Sequence, residues 1–129
     1  MKIQNPTTQI SELFKTLSQP ARIEILLAIG TGEACVCHLE VVLKLRQAYI
    51  SQHLMALRQA GILDTRREGR FIFYSLTDRD LTNLIRLAAK ALGIPDKQIV
   101  FASGGGPRPD CGCPDCDTTS ANNLIQLNV

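Results

Sequence analysis

Apolar positions recur at helical spacing through most of the chain. Ile10, Leu13, Phe14 and Leu17 form one stripe at i, i+3, i+4 and i+7. Pro6-Thr7-Thr8 offers its start and Ser18-Gln19-Pro20 its stop. A second helix begins at Pro20, a residue favoured in a first turn, carries Ile23, Leu26 and Leu27, and ends at Gly30-Thr31-Gly32. A third is predicted from about Val36 to Leu45, with Leu39, Val42 and Leu43 inward. After Arg46-Gln47 a fourth carries Ile50, Leu54 and Leu57 and closes at Ala60-Gly61. The pattern then changes. Ile62–Arg67 and Arg70–Leu76 are β-rich runs on either side of Glu68-Gly69, which predicts a hairpin. A fifth helix follows Thr77-Asp78 with Leu81, Leu84, Ile85, Leu87, Ala88, Ala91 and Leu92. That stripe is wider than one small core needs, and a partner surface is the simplest use for the extra width.

Past Gly93-Ile94-Pro95 the texture changes again. Residues 1–95 read as one domain, and residues 96–129 as a Gly/Pro-rich tail. The tail's run Ala102-Ser103-Gly104-Gly105-Gly106-Pro107-Arg108-Pro109 has linker composition, and a cysteine cluster follows it. The fold class is therefore mainly α with a small β-hairpin. Its order, four helices, hairpin, helix, is that of a winged helix-turn-helix.

Charge sharpens this reading. The chain carries a formal +2, yet residues 44–70 alone hold Lys44, Arg46, Arg58, Arg66, Arg67 and Arg70 against Asp64 and Glu68. Positive charge concentrated on the fourth helix and the hairpin suits double-stranded DNA. On that helix Gln47, Ala48, Ser51, Gln52 and Met55 point away from the core stripe. Gln can bridge adenine edges, Ser can bond bases or phosphates, and small side chains near the helix start admit the backbone to the major groove. His53 is a further candidate, for DNA or for a structural contact. The hairpin residues Arg66, Arg67 and Arg70 stand where a wing meets phosphate or the minor groove.

The 129 residues suit one domain, and 45 % apolar content supplies a core. Aromatics are 5 % with no Trp, which argues against a base-stacking sheet. No window approaches the ~20 apolar residues of a membrane span. The start, Met1-Lys2-Ile3-Gln4-Asn5-Pro6, has no apolar signal stretch, so a cytoplasmic chain is expected.

In a reducing cytosol, five clustered cysteines read as metal ligands or redox groups rather than disulfides. Cys35 and Cys37 are two apart, which on an ideal helix is about 200° of rotation, so their sulfurs diverge unless the helix start is extended or distorted. Cys111, Cys113 and Cys116 put three sulfurs within six residues of the tail. Thiolates select soft ions: As(III), Sb(III), Cd(II), Pb(II), Zn(II), Hg(II) and Cu(I). Five thiols permit one mixed site or a separate tail site.

Several segments together resemble the ArsR/SmtB family of metal-sensing repressors. They are Leu13–Leu26, the box Ala34-Cys35-Val36-Cys37-His38-Leu39, the run Ile50–Leu63 and the wing Arg66–Tyr74. The resemblance spans roughly residues 10–92. It implies a homodimer built from the first and last helices, an operator with dyad symmetry, and release of DNA when an inducer binds. A Cys-Val-Cys box is associated in that family with arsenite and with cadmium or lead sensing. Departures are visible. Tyr49 stands where a small residue is usual and Arg46 where a capping Ser or Thr is common. Glu40 stands where the arsenite type adds a third Cys, a sulfur the tail can supply. Residues 78–93 contain no His, which removes the family's zinc site on the last helix. His38 adjoins the box as a lesser candidate ligand.

Other classes fit less well. Neither thiol cluster follows a strand in a βαβ pattern, which argues against a thiol oxidoreductase or any other enzyme. A redox- or sulfide-responsive repressor of the same fold, and a DNA-binding protein with a purely structural zinc tail, remain as alternatives.

Overall fold

The computed structural model describes residues 5–102. Helix α1 spans Pro6–Leu17; Asn5 caps it by accepting the Thr7 backbone N–H at 2.8 Å, and Pro6 opens the first turn. Helix α2, Pro20–Ile29, follows directly. Its Ile25, Leu26 and Ile29 are fully buried, with Ile23 and Leu27 half-buried. The buried set is broader than the expected Ile23-Leu26-Leu27 stripe because α2 is the central helix, packed on α1 and on every element from β1 to α4.

Strand β1 (Glu33–Cys35), helix α3 (Val36–Leu43), helix α4 (Gln47–Gln59), strands β2 (Leu63–Glu68) and β3 (Phe71–Leu76), and helix α5 (Asp80–Ala91) complete the order. The hairpin turns at Gly69, which has φ +61°. The sheet has three antiparallel strands in the order β1-β3-β2, not the two of the hairpin alone. β1 adds to the free edge of β3 with Cys35 opposite Phe73. At three residues it is too short to leave an alternation signal. Helix α3 stops two residues before the expected Leu45, because Lys44 takes the left-handed conformation and its N–H returns to the Glu40 carbonyl at 2.8 Å.

The core gathers Leu17, Ile25, Leu26, Ile29, Leu39, Ile50, Leu54, Leu57 and Ile85. It continues past residue 95. After a short 3₁₀ turn (Asp96–Gln98), residues 99–102 run back along the end of α2 as a strap. Phe101 is buried beneath the Arg86 guanidinium, 4.8 Å from the ring centroid. The Ala102 N–H donates to the Leu27 carbonyl, and the Thr31 N–H donates to the Ala102 carbonyl, both at 2.9 Å. The strap thus supplies partners for backbone groups that a helix end leaves open. The packed unit therefore reaches Ala102, beyond the expected boundary, because Phe101 contributes apolar surface that the core buries. Of the expected linker, Ala102 is held in this strap; residues 103–109 and the Cys111–Cys116 cluster lie outside the described residues, among which no helix is long and apolar enough to cross a membrane.

A thiol pair beside a candidate DNA-reading face

Helices α3 and α4 are joined by Lys44, Leu45 and Arg46 alone, the short connection a helix-turn-helix requires. Ile50, Leu54 and Leu57 anchor α4 in the core. Gln47, Ala48, Gln52 and Met55 are left exposed, with Ser51 half-buried beside them. These residues stand on the face expected to meet DNA.

His53 does not. It is buried, and its Nδ1 accepts a hydrogen bond from Arg22 Nε at 3.0 Å. Tyr49 meets its ring edge-on at 4.5 Å. Arg22 also donates to the Thr16 carbonyl at 3.0 Å, so one guanidinium ties α2 to the end of α1 and to α4. Burial, and then the nearby Arg22 charge, push the His53 pKa down and keep the ring neutral. With Nδ1 accepting, the neutral ring carries its proton on Nε2, which has no partner among the described residues. Of the two readings of His53, DNA contact or structural contact, its position corresponds to the second. Arg22 was not singled out from the sequence, since nothing local signals a bond 31 positions away.

The wing arginines divide in the same way. Arg66 is engaged within the sheet: it grips Glu33 at 2.7 Å, reaches Glu68 at 3.4 Å, and stacks 4.5 Å from the Phe73 ring centroid. The hydrogen bond from Arg66 holds the Glu33 carboxyl below its usual range, and the Arg66 pKa is raised in turn. Arg67 and Arg70 are exposed at the hairpin end, Arg67 bonding the Gly69 carbonyl at 3.2 Å and Arg70 lying 5.1 Å over Phe71. These two present guanidinium groups outward.

The two cysteines sit where sheet turns into helix. Cys35 ends β1 and caps α3 in an extended conformation (φ −89°, ψ 169°), while Cys37 lies in the first turn. That extended residue is the distortion needed for convergence, and the two Sγ atoms are 2.8 Å apart. Sulfurs this close can both reach one ion at the roughly 2.3 Å of a zinc–thiolate bond. Cys35 Sγ also accepts the His38 backbone N–H at 3.4 Å. His38 itself is buried.

The pair faces a cleft of about 380 Å³ lined also by Gln47, Ser51, Arg70, Phe71, Ile72 and Tyr74. The cysteine pair, α4 and the wing thus line one space. The donor set, soft sulfur at a helix N-terminus, fits a thiophilic ion. Among the described residues no group of three or more His, Cys, Asp or Glu is placed to hold a metal, so any further donor comes from elsewhere in the chain or from solvent.

Elsewhere α1 and α5 frame an apolar groove of about 280 Å³ lined by Phe14, Leu17, Ile85, Ala88 and Leu92, among others. Phe14 is 53 % exposed, Leu87 63 % and Leu92 76 %.

Comparison with known proteins agrees with this architecture. A family profile described as "Bacterial regulatory protein, arsR family" matches residues 19–65. The biofilm growth-associated repressor of Agrobacterium fabrum is 39 % identical over 92 residues, covering 71 % of this chain and 79 % of that protein. A cadmium resistance transcriptional regulatory protein, a CadC homolog of Staphylococcus aureus, is 35 % identical over 86 residues, 66 % of this chain and 70 % of that protein. Among solved structures HlyU from Vibrio cholerae superimposes with a TM-score of 0.62 at 29 % identity, covering 69 % of this chain and 97 % of that one. With its helix-turn-helix, wing and apolar first and last helices in that family's order, this chain belongs to the arsR family of bacterial regulatory proteins, transcriptional regulators rather than enzymes.

Proposed function

We propose that this chain is a cytoplasmic repressor that grips operator DNA as a homodimer and lets go when a soft ion binds its cysteine thiolates. The inducer is As(III), or Cd(II) or Pb(II), with Zn(II) a further ion that thiolates hold. Gln47, Ala48, Ser51 and Gln52 read the major groove, and Arg67 and Arg70 hold phosphate. Cys35 and Cys37 take the ion, with Cys111, Cys113 and Cys116 either adding sulfur to that site or forming a second one. The apolar faces of α1 and α5 meet their copies in the partner.

One observation carries the reading. The converging sulfurs of Cys35 and Cys37, 2.8 Å apart, open onto the cleft that Gln47, Ser51 and Arg70 also line. An ion drawn into that cleft re-packs the start of α3 and the side of the wing together, and α3 leads through three residues into α4. Release requires that the ion bind the DNA-free form more tightly; a hundredfold loss of operator affinity needs about 2.7 kcal/mol of such coupling. The cadmium resistance regulator among its relatives is consistent with this choice of inducer.

The test is fluorescence anisotropy on the operator, under reducing conditions, with As(III) or Cd(II) added. The wild type releases DNA. Cys35→Ser and Cys37→Ser bind DNA normally and stay bound when the ion is added. Normal release in both variants removes the thiol pair from the mechanism.

A further inference from the structure

Tyr49 stands in the first turn of α4 and is 44 % exposed. Its ring meets the buried His53 at right angles, with 4.5 Å between centroids. His53 is fixed in turn by the Arg22 Nε–H at 3.0 Å, and Arg22 by the Thr16 carbonyl at 3.0 Å. A chain of contacts thus runs from the end of α1 through α2 to an exposed aromatic ring on α4.

Helix geometry says which edge that ring occupies. At about 100° per residue, Ser51 and Tyr49 lie about 160° apart on α4, with the exposed Ala48 and Gln52 between them. Ser51 lines the cleft shared with the wing residues Arg70 and Phe71. Tyr49 therefore bounds the same exposed face at its other edge, on the side of α2. Ala48 projects only a methyl group, so a helix entering the major groove here brings the longer Tyr49 side chain against the groove wall. That wall is phosphate, and exposed Lys44, Arg46 and Arg58 supply α4 with the charge to approach it. A phenol O–H can donate to a phosphate oxygen. A ring already held by a buried neighbour loses little freedom when it binds.

We propose that Tyr49 is a DNA contact: its phenol O–H donates to a backbone phosphate at the edge of the groove away from the wing, and His53, with Arg22 behind it, sets the angle of the ring. This rests on the reading of α4 as the helix that enters DNA, and adds an anchor across its face from Arg67 and Arg70. Wing and Tyr49 then hold the two edges of the reading face, which fixes how Ala48 and Gln52 sit in the groove between them. Tyr49 carries no charge. Its contact therefore contributes affinity without adding to the salt dependence, which counts the cations that neutralise phosphate.

The test first selects a duplex from random-sequence DNA with the full-length wild-type chain, reduced and with chelator present. Affinity for that duplex is then read by fluorescence anisotropy. Tyr49→Phe keeps the ring and its edge-on contact and removes only the hydroxyl. Its unfolding midpoint in denaturant stays at the wild-type value. Its affinity falls at least about tenfold, as the loss of a hydrogen bond to a charged group predicts, while the slope of log affinity against log salt is unchanged. The same factor is lost on duplexes altered at single base pairs, because phosphate carries no sequence. His53→Gln keeps an acceptor for Arg22 but removes the ring. It weakens binding in the wild type and much less in the Tyr49→Phe background; equal losses in both overturn the positioning by His53. Wild-type affinity in Tyr49→Phe overturns the contact and leaves the ring as a cover for His53. A loss that vanishes when one particular base pair is changed assigns Tyr49 to base reading and overturns the phosphate contact. If the wild type selects no duplex, the assignment of α4 as the DNA-entering helix fails, and the Tyr49 contact with it.

Discussion

Arg66 reaches across β3 to hold Glu33 with two nitrogens, Nη2 at 2.7 Å from Oε1 and Nε at 3.0 Å from Oε2. The strand that ends in Cys35 is thereby latched to the wing. An arginine held this way is a poor phosphate ligand, because leaving its carboxylate offsets what the phosphate offers. Each phosphate contact contributes about 0.9 to the slope of log affinity against log salt. Arg67→Ala and Arg70→Ala are expected to lower that slope by up to about 0.9 each, and Arg66→Ala by clearly less. Glu33→Gln frees Arg66 and steepens the slope. Operator titrations between 50 and 200 mM salt, on the order of the range where such slopes are resolved, measure all four; equal losses from the three arginines would mean that the latch opens on DNA.

Arg22 and His53 form the other long-range polar link. Arg22→Ala leaves the buried Nδ1 of His53 without its donor, at a cost of about 1–3 kcal/mol. In a double-mutant cycle, removing the His53 ring from the Arg22→Ala background costs much less than removing it from the wild type. Denaturant unfolding of the four proteins gives the coupling. Additive effects would show that the pair is not a working contact.

The same histidine sets a pH dependence. Its folded pKa lies below the ordinary 6.5, with desolvation as the leading cause. The unfolded chain therefore binds the proton first as pH falls. The His53 contribution to stability is fully present above about pH 6.5 and is lost on descending from there through the lowered native pKa. His53→Gln, whose amide oxygen can still accept from Arg22, flattens this limb of the stability–pH curve. An unchanged limb would assign it to other groups.

These links explain what the amino-acid pattern shows and what it hides. The face of α4 was readable because Ile50, Leu54 and Leu57 repeat at helical spacing and bury together. The hairpin was readable from Glu68-Gly69 between β-rich runs. β1 was not, because its three residues gain their order only from the open edge of β3. Convergence of the thiols was conditional: spacing alone separates Cys35 from Cys37, and the extended cap that reunites them comes from the strand before it. Arg22–His53 and Arg66–Glu33 join residues 31 and 33 positions apart, where periodicity carries no information. The strap is hidden in the sequence because Phe101 stands next to linker composition, while Arg86, which covers it, lies in α5 and Leu27, which Ala102 bonds, lies in α2.

Gly30 has φ +58° and ψ −133°, a conformation close to glycine-only, and faces the Ala102 carbonyl directly. Gly30→Ala must both strain the backbone and displace the strap. Thermal or denaturant unfolding is expected to show a loss of at least about 2 kcal/mol. Exchange protection of the Thr31 and Ala102 amides should fall in the same variant, since those bonds depend on the strap's position. A fully stable Gly30→Ala protein with both amides protected would mean that the strap is not seated on Gly30.

Leu92 separates folding from assembly. At 76 % exposed it adds little to the single subunit, so Leu92→Lys is expected to change subunit stability by no more than about 0.5 kcal/mol. In a dimer that joins the α1–α5 faces, the same side chain leaves water twice, once per subunit. Burying a leucine contributes roughly 1.5–3 kcal/mol, so two copies account for at least about 3 kcal/mol of association, more than a hundredfold in dimer Kd. Phe14, on the facing helix and lining the same groove, should behave alike as Phe14→Lys. Sedimentation across a range of concentrations reads the association, and unfolding of the dilute protein reads the subunit. Weaker association with an intact subunit, accompanied by loss of operator binding, is the expected result. Unchanged sedimentation of both variants would place the subunit contact elsewhere and leave the width of α5's apolar stripe without a purpose.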